Sequence, residues 1–428
     1  MSATSKSQTL VAAPTANAGQ ELNESDPRYY GWRVVAAASV GVMGGFGSLF
    51  VYTFAVFVKP LSGQFGWTRE AISFGFGIAA LTLGAVSPLL GRWLDAVTPR
   101  RIILPCVAVF ACGIASLALL RGPLWQFYVT CVVLGAVGNG AAHLAYSRSI
   151  STWFEKRLGM ALAIVMVGAG LGAMILPVFA QEMISGFGWR SAYAGLGALA
   201  LLLGFPFTWR YVRDRAHVRR DVPAAPLSGM TWQAGIRSVT LWVIVAVLFV
   251  GSVSMNGAIT HLVALLTDRG ISAGRAAACA SLLGGTSLLG RVGAGSLLDR
   301  FFGGARVAFL VNLIAAAGLF ALAYANRFTT GCLAATLIGI GVGSEAAVTP
   351  YLLSRYFGLR SFSTLYGLTW TFYAAAGAIG PVILGRSFDL SGSYTSLLVA
   401  LGIAFSVVSA LLLFLPGYPT HQRTSEST

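Results

Sequence analysis

Two short stretches decide the fold: GRWLDAVTPRR, running from Gly91 to Arg101, and GSLLDRFFGGAR, running from Gly295 to Arg306. Gly91 and Asp95 of the first recur as Gly295 and Asp299 of the second, each 204 positions later. Each stretch interrupts a long apolar run with charge, and the similarity spreads outward from both. STWF closes an apolar run at Phe154 and SRYF closes another at Phe357, 203 positions on. GAGLGAMILP, from Gly168, has an echo in GAIGP, from Gly377. A chain that repeats itself over half its length has two copies of one architectural unit.

Composition says what that unit is made of. Of 428 residues only 10% are charged, where a soluble protein carries roughly 25%. Hydrophobic residues make up 56% and Gly numbers 52. So few charges cannot cover a water-exposed surface, which excludes a soluble enzyme and a disordered chain. A helix needs about 20 apolar residues to cross the hydrocarbon layer. Apolar runs at 33–58, 70–90, 102–120, 124–147, 158–181, 190–209, 238–266, 273–298, 305–325, 329–353, 362–385 and 394–415 predict an all-α membrane protein of twelve transmembrane helices in two six-helix pseudo-repeats. Spans 158–181 and 273–298 are so rich in glycine that hydropathy alone scores them weakly.

The charges orient the chain. With both ends inside, the outer loops hold eight basic residues, among them Lys59, Arg69 and Arg269, and the inner segments hold 20. This positive-inside bias predicts two cytoplasmic termini in the cell (inner) membrane. It also accounts for the net charge of +15 without a nucleic-acid partner. The predicted divisions are a cytoplasmic tail over 1–30, an amino-terminal bundle over 31–209, a central loop over 210–236, a carboxy-terminal bundle over 237–416 and a second tail over 417–428. The first 30 residues lack a charged segment followed by an apolar one, so the first span is expected to act as its own insertion signal. Cys106, Cys112, Cys131, Cys279 and Cys332 lie in apolar stretches with no metal spacing and are expected to pack.

Two parallel six-helix repeats are the pattern of a secondary transporter. GRWLDAVTPRR resembles the Gly-x-Leu-x-Asp-Arg-x-Gly-x-Arg signature of the major facilitator superfamily. The likeness is carried by Gly91, Asp95, Arg100 and Arg101, while Ala96 and Thr98 replace the usual Arg and Gly; Gly295, Asp299 and Arg300 carry the second copy. Within the superfamily, VFVKPLSGQFGWTRE after span 1 and WFEKRLGMALAIVMVGAGLG at span 5 resemble monocarboxylate transporters and oxalate/formate-type antiporters. The resemblance implies the two-bundle fold and a substrate-binding Arg in span 8.

That Arg also stands out unaided. An Arg at a helix centre costs about 2.5–3.5 kcal/mol on insertion scales, so it is a functional candidate by default. Arg291 shares a helical face with Gly284 and Ser287, and its planar fork of donors suits a carboxylate. The alternative is a structural ion pair with Glu345. Glu345 is itself a candidate proton carrier, or a partner for Arg300 or Arg306. His261 of span 7 lies outward of its span's centre, where it would gate or relay a proton; the resemblance implies a His there in bacterial monocarboxylate transporters. Asn256 and Thr260 are candidate hydrogen-bond partners for substrate. Trp370 and Tyr373, with Tyr366 on the same face of span 11, and Tyr52 and Tyr146 complete a candidate pocket, although aromatic stripes also pack against helices and lipid. The lysines that related animal carriers place near Tyr52, and oxalate antiporters in span 11, are missing here. One cavity cation matches a monoanion.

These residues predict proton-coupled carriage of small monocarboxylates, lactate-like or aromatic, by a monomer whose partners are a small organic anion, protons and the lipid bilayer. An organic-anion antiporter of the oxalate/formate type, or a drug or metabolite exporter, is the alternative. No phosphate-binding loop, zinc motif or paired acid site is present, so neither a cofactor, a metal nor an enzymatic activity is expected.

Overall fold

The computed structural model describes residues 24, 26–154, 157–213, 229–300, 303–358 and 360–418. Most of both predicted tails and the middle of the central loop lie outside that set. Lipid offers the backbone no hydrogen-bonding partner, so apolar runs must satisfy their own amides as helices. Among the described residues there is accordingly no strand, only an isolated bridge between Gly229 and Gly358.

The order is α1 (Tyr30–Met43), a π turn (Gly47–Val51), α2 (Tyr52–Phe65), α3 (Arg69–Ala96), α4 (Pro99–Ser116), α5 (Leu124–Gly138), α6 (His143–Ile150) and α7 (Leu158–Tyr211). The second half follows as α8 (Trp232–Arg237), α9 (Val239–Asp268), α10 (Ala273–Arg300), α11 (Gly304–Ala323), α12 (Phe328–Phe357), α13 (Phe362–Ser391) and α14 (Thr395–Ala410). Ten segments among the described residues are long and apolar enough to cross a membrane. One of them, Met160–Tyr211, has 52 residues and would be about 78 Å long if straight, twice what one crossing needs. It breaks at Gly188, whose φ of 83° and ψ of 163° only glycine adopts readily, and so crosses twice. Glycine-rich α10 falls outside the ten, as its composition foretold. Counting it gives twelve passes.

With an even number of passes, α1 starts and α14 ends on one face, the near face; the opposite one is the far face. In the first half α7 packs on α1 and α4, and α3 on α5; in the second, α12 packs on α10 and α11, and α13 on α9. The halves meet through α3 against α13, α7 against α10, and α2 against α9. Small residues set these approaches. Gly168 and Gly172 seat α7 on Ser39 and Ser48 within its own half, whereas Gly170 meets Leu288 of α10 across the divide.

Candidate substrate and gating sites

Arg291 lies 18 residues into α10, about 27 Å from its far end. Among the described residues it forms no ion pair, and its buried Nε has no hydrogen-bond partner. The expected alternative, a pair with Glu345, is not formed. Ser287, one turn toward the far face, is buried. The Tyr52 hydroxyl at the start of α2 faces it and lies within electrostatic reach of Arg291. From α13, Tyr373 and Tyr366 also lie in the field of Arg291, and Tyr373 lies beside Asn256 of α9. Trp370 packs edge-on to Tyr373 at 4.8 Å and remains 47% exposed. Tyr52 and Tyr373, from the two halves, thus lie in the field of one guanidinium, with Asn256 and Trp370 beside Tyr373.

Other expected residues lie elsewhere. Thr260 is fully buried and its hydroxyl donates to the Asn256 carbonyl at 2.8 Å, one turn back along α9. That bond absorbs the side chain into its own helix. Tyr146 is enclosed in the first half, where its hydroxyl shares a 2.8 Å hydrogen bond with that of Thr208 and lies against Gly41. Neither offers a free polar atom to a ligand in this state. Glu345 has no ion pair or hydrogen bond among the described residues; Arg306 is exposed and does not reach it. The side chains of Asp95, Asp299 and Arg300, and the surroundings of Gly91, lie outside the described set. Arg100 stands over the Trp209 ring at 5.9 Å, Arg101 is exposed, and Gly295 has open space beside it.

The far face is closed by a polar network that sequence reasoning missed. GWTRE builds its first element: Gly66, at φ 67°, ends α2, and Thr68 caps α3 by accepting from the Ala71 amide at 3.1 Å. Two further amides of that first turn, those of Arg69 and Glu70, donate to the Asp389 carboxylate of the other half at 3.2 and 2.8 Å. Free amides at a helix start suit an anion. Arg69 in turn donates to both oxygens of Asp268 at 2.5 and 3.0 Å, and Lys59 approaches the same carboxylate at 2.8 Å. The Arg69 guanidinium lies 3.7 Å from the centre of the Phe388 ring and donates to the Tyr394 hydroxyl at 2.6 Å. Burial pushes the Tyr394 hydroxyl up from its ordinary value, with Arg69 opposing, so it stays a donor.

His261 belongs to this network. Its Nε2 lies 2.9 Å from the Pro381 carbonyl and 3.0 Å from the Ser73 hydroxyl, and its Nδ1 lies 3.1 Å from the Tyr394 hydroxyl. A carbonyl only accepts, so Nε2 carries the hydrogen and Nδ1 accepts from Tyr394. The histidine thus touches the opposite half through Ser73, in keeping with its outward position in the sequence. Lys59 and Arg69 stood out in the sequence only as sparse outer charges. Asp268 and Asp389, acids in outer stretches, were the signals that these cations and this helix start had partners; nothing marked Tyr394.

No group of three or more His, Cys, Asp or Glu suited to a metal occurs among the described residues. The arrangement as a whole can hold an anion at Arg291 and can join or part the halves at the far face.

The model of the Major Facilitator Superfamily matches residues 40–381. Monocarboxylate transporter 13 of Rattus norvegicus is 24% identical over 91% of this chain and 90% of its own length. The MFS transporter asaE of Aspergillus flavus is 25% identical over 74% of this chain and 71% of its own. Among solved structures, a bacterial homologue of the human lysosomal transporter Spinster, inward-facing and unoccupied, superposes with a TM-score of 0.68 at 16% identity, covering 91% of this chain and 95% of that one.

Proposed function

The chain belongs to the Major Facilitator Superfamily, and we propose that it carries small monocarboxylates, lactate-like or aromatic, together with a proton by alternating access. The observation that carries this reading is Arg291, a charge deep in α10 with a buried nitrogen left unpartnered and no acid to neutralise it among the described residues. A buried donor without a partner is costly, and a carboxylate would relieve that cost with two parallel hydrogen bonds. Tyr52, Asn256 and Tyr373 would orient the rest of the anion, with Trp370 supplying an apolar wall. The distant relative that is a monocarboxylate transporter supports the substrate class.

Parting of the far-face network, with closure at the near face, would turn the site from one side of the membrane to the other. The positive-inside bias supports placing the near face and both termini in the cytoplasm of the cell membrane. Either His261, held between Ser73 and Tyr394, or Glu345 would carry the coupled proton. One proton moving with one monoanion transfers no net charge, so uptake follows the pH gradient and ignores membrane potential.

The test is thermal-shift binding of acetate, L-lactate, oxalate and benzoate to purified protein across pH, for the native chain and Arg291→Ala. Stabilisation by a monocarboxylate that vanishes in the variant is expected. Equal stabilisation of both proteins would remove Arg291 from the site, and a response to oxalate alone would favour the antiporter alternative.

A further inference from the structure

Inside the second half, α9, α11, α12, α14 and the turn that follows it line a small, half-open cavity of about 30 Å³. That is room for about two waters. Most of its wall is apolar, with Val247, Leu248 and Phe405 among the lining residues. Three polar side chains break that wall: Glu345, Thr349 one turn further along α12, and Asn312 of α11. Among the described residues none of the three makes a side-chain hydrogen bond, and Glu345 has no ion pair. Three unpartnered polar groups converging on one water-sized space in a membrane bundle call for a shared occupant.

We propose that Glu345, Asn312 and Thr349 form the coupling-proton site, in which the Glu345 carboxyl takes a proton from water, holds it among the Asn312 amide, the Thr349 hydroxyl and bound water, and returns it to water on the other side. This rests on the proton-coupled reading above and assigns the carried proton to α12, not to the far-face His261. The groups facing Glu345 favour it. α9 presents Ile244, Val247 and Leu248, α11 presents Ala308 and Asn312, α14 presents Phe405 and the turn after it Leu412, none of them titratable. α13 contributes Tyr366 and Tyr373, which lie in the fields of both Glu345 and Arg291. α10 packs on α12 through Gly290 against Ile340 and Gly343 against Ser287, and its charge, Arg291, makes no contact with the carboxyl. An ionised carboxylate without a counter-charge is disfavoured at membrane depth; a protonated one is a donor and an acceptor that an amide, a hydroxyl and water can satisfy together.

The two tyrosines link the sites. An anion that neutralises Arg291 changes the field at Tyr366 and Tyr373, and through them at Glu345. Proton and substrate thereby favour one another without sharing a ligand.

The test is an infrared pH titration of the full chain in lipid, with no organic anion present, comparing native protein, Glu345→Gln and Thr349→Val, each checked for folding by its thermal melt. The native protein should show a protonated-carboxyl stretch that shifts in D2O. That band should vanish in Glu345→Gln and move in frequency in Thr349→Val. Superimposable native and Glu345→Gln spectra would overturn the assignment. So would an unmoved band in Thr349→Val, which serves alone if the first variant does not fold, and so would a response to sodium against choline in place of pH. Because no anion is present, this outcome is independent of whether Arg291 binds a carboxylate, which the thermal-shift panel decides separately.

Discussion

Replacing Asp268 by Asn should tip the molecule toward an open far face. Asp268 receives two hydrogen bonds from Arg69 and one contact from Lys59, with side-chain exposures of 24%, 9% and 39% respectively. The Lys59 contact, being the most exposed, contributes about 0.2–1 kcal/mol. The Arg69 pair is the larger part, because its loss leaves a buried guanidinium without a counter-charge, a change that costs about 3–5 kcal/mol in fully buried pairs. Arg69 keeps Tyr394 and the Phe388 face, and an Asn can still accept one bond. About 2 kcal/mol against the closed far face is therefore a fair net figure, which is a shift of about 30-fold in the open-to-closed ratio. Spin labels at Gln64→Cys, at the end of α2, and Leu390→Cys, at the end of α13, span the two halves from exposed positions. With the five native cysteines replaced, pulsed electron-spin distances should show a longer population growing at the expense of the short one. An unchanged distribution, in a variant that melts at the native temperature, would refute the claim that this carboxylate holds the halves together.

Three further outcomes follow from the same geometry. Gly385→Ala puts a Cβ 2.8 Å from the Glu70 backbone nitrogen, an overpacking of about 1–3 kcal/mol that bears on the closed far face; the same label pair should report lengthening without any change of charge. Tyr146→Phe removes a buried hydroxyl bonded to Thr208, and should lower stability in a denaturation assay by about 1 kcal/mol while leaving benzoate affinity unchanged, as befits a residue that holds the first half together. Arg291→Lys keeps the charge but loses the planar fork, so binding of a monocarboxylate by calorimetry should weaken on the order of tenfold; native affinity would mean that only charge is read there.

Fold and site were legible to different depths. Scarcity of charge, the 204-residue repeat and the spacing of apolar runs determined a twelve-pass, two-bundle helical protein, because lipid permits the backbone few alternatives. Arg291 and its suitability for an anion were also readable, since a guanidinium at membrane depth needs a reason wherever it occurs in a helix. Which side chains share its surroundings was a matter of tertiary structure. Helical spacing put Asn256 and Thr260 on one face of α9, and both side chains bond back to their own helix, yet only Asn256 also reaches Tyr373. Tyr52 and Tyr146 looked alike in sequence, and only packing sent the first toward Arg291 and the second into the bundle. The far-face network joins residues up to 325 positions apart, and no local pattern encodes such a meeting. Sequence alone settled the solvent each helix must face; the docking of one half on the other decided which polar atoms find partners and which are left for a ligand.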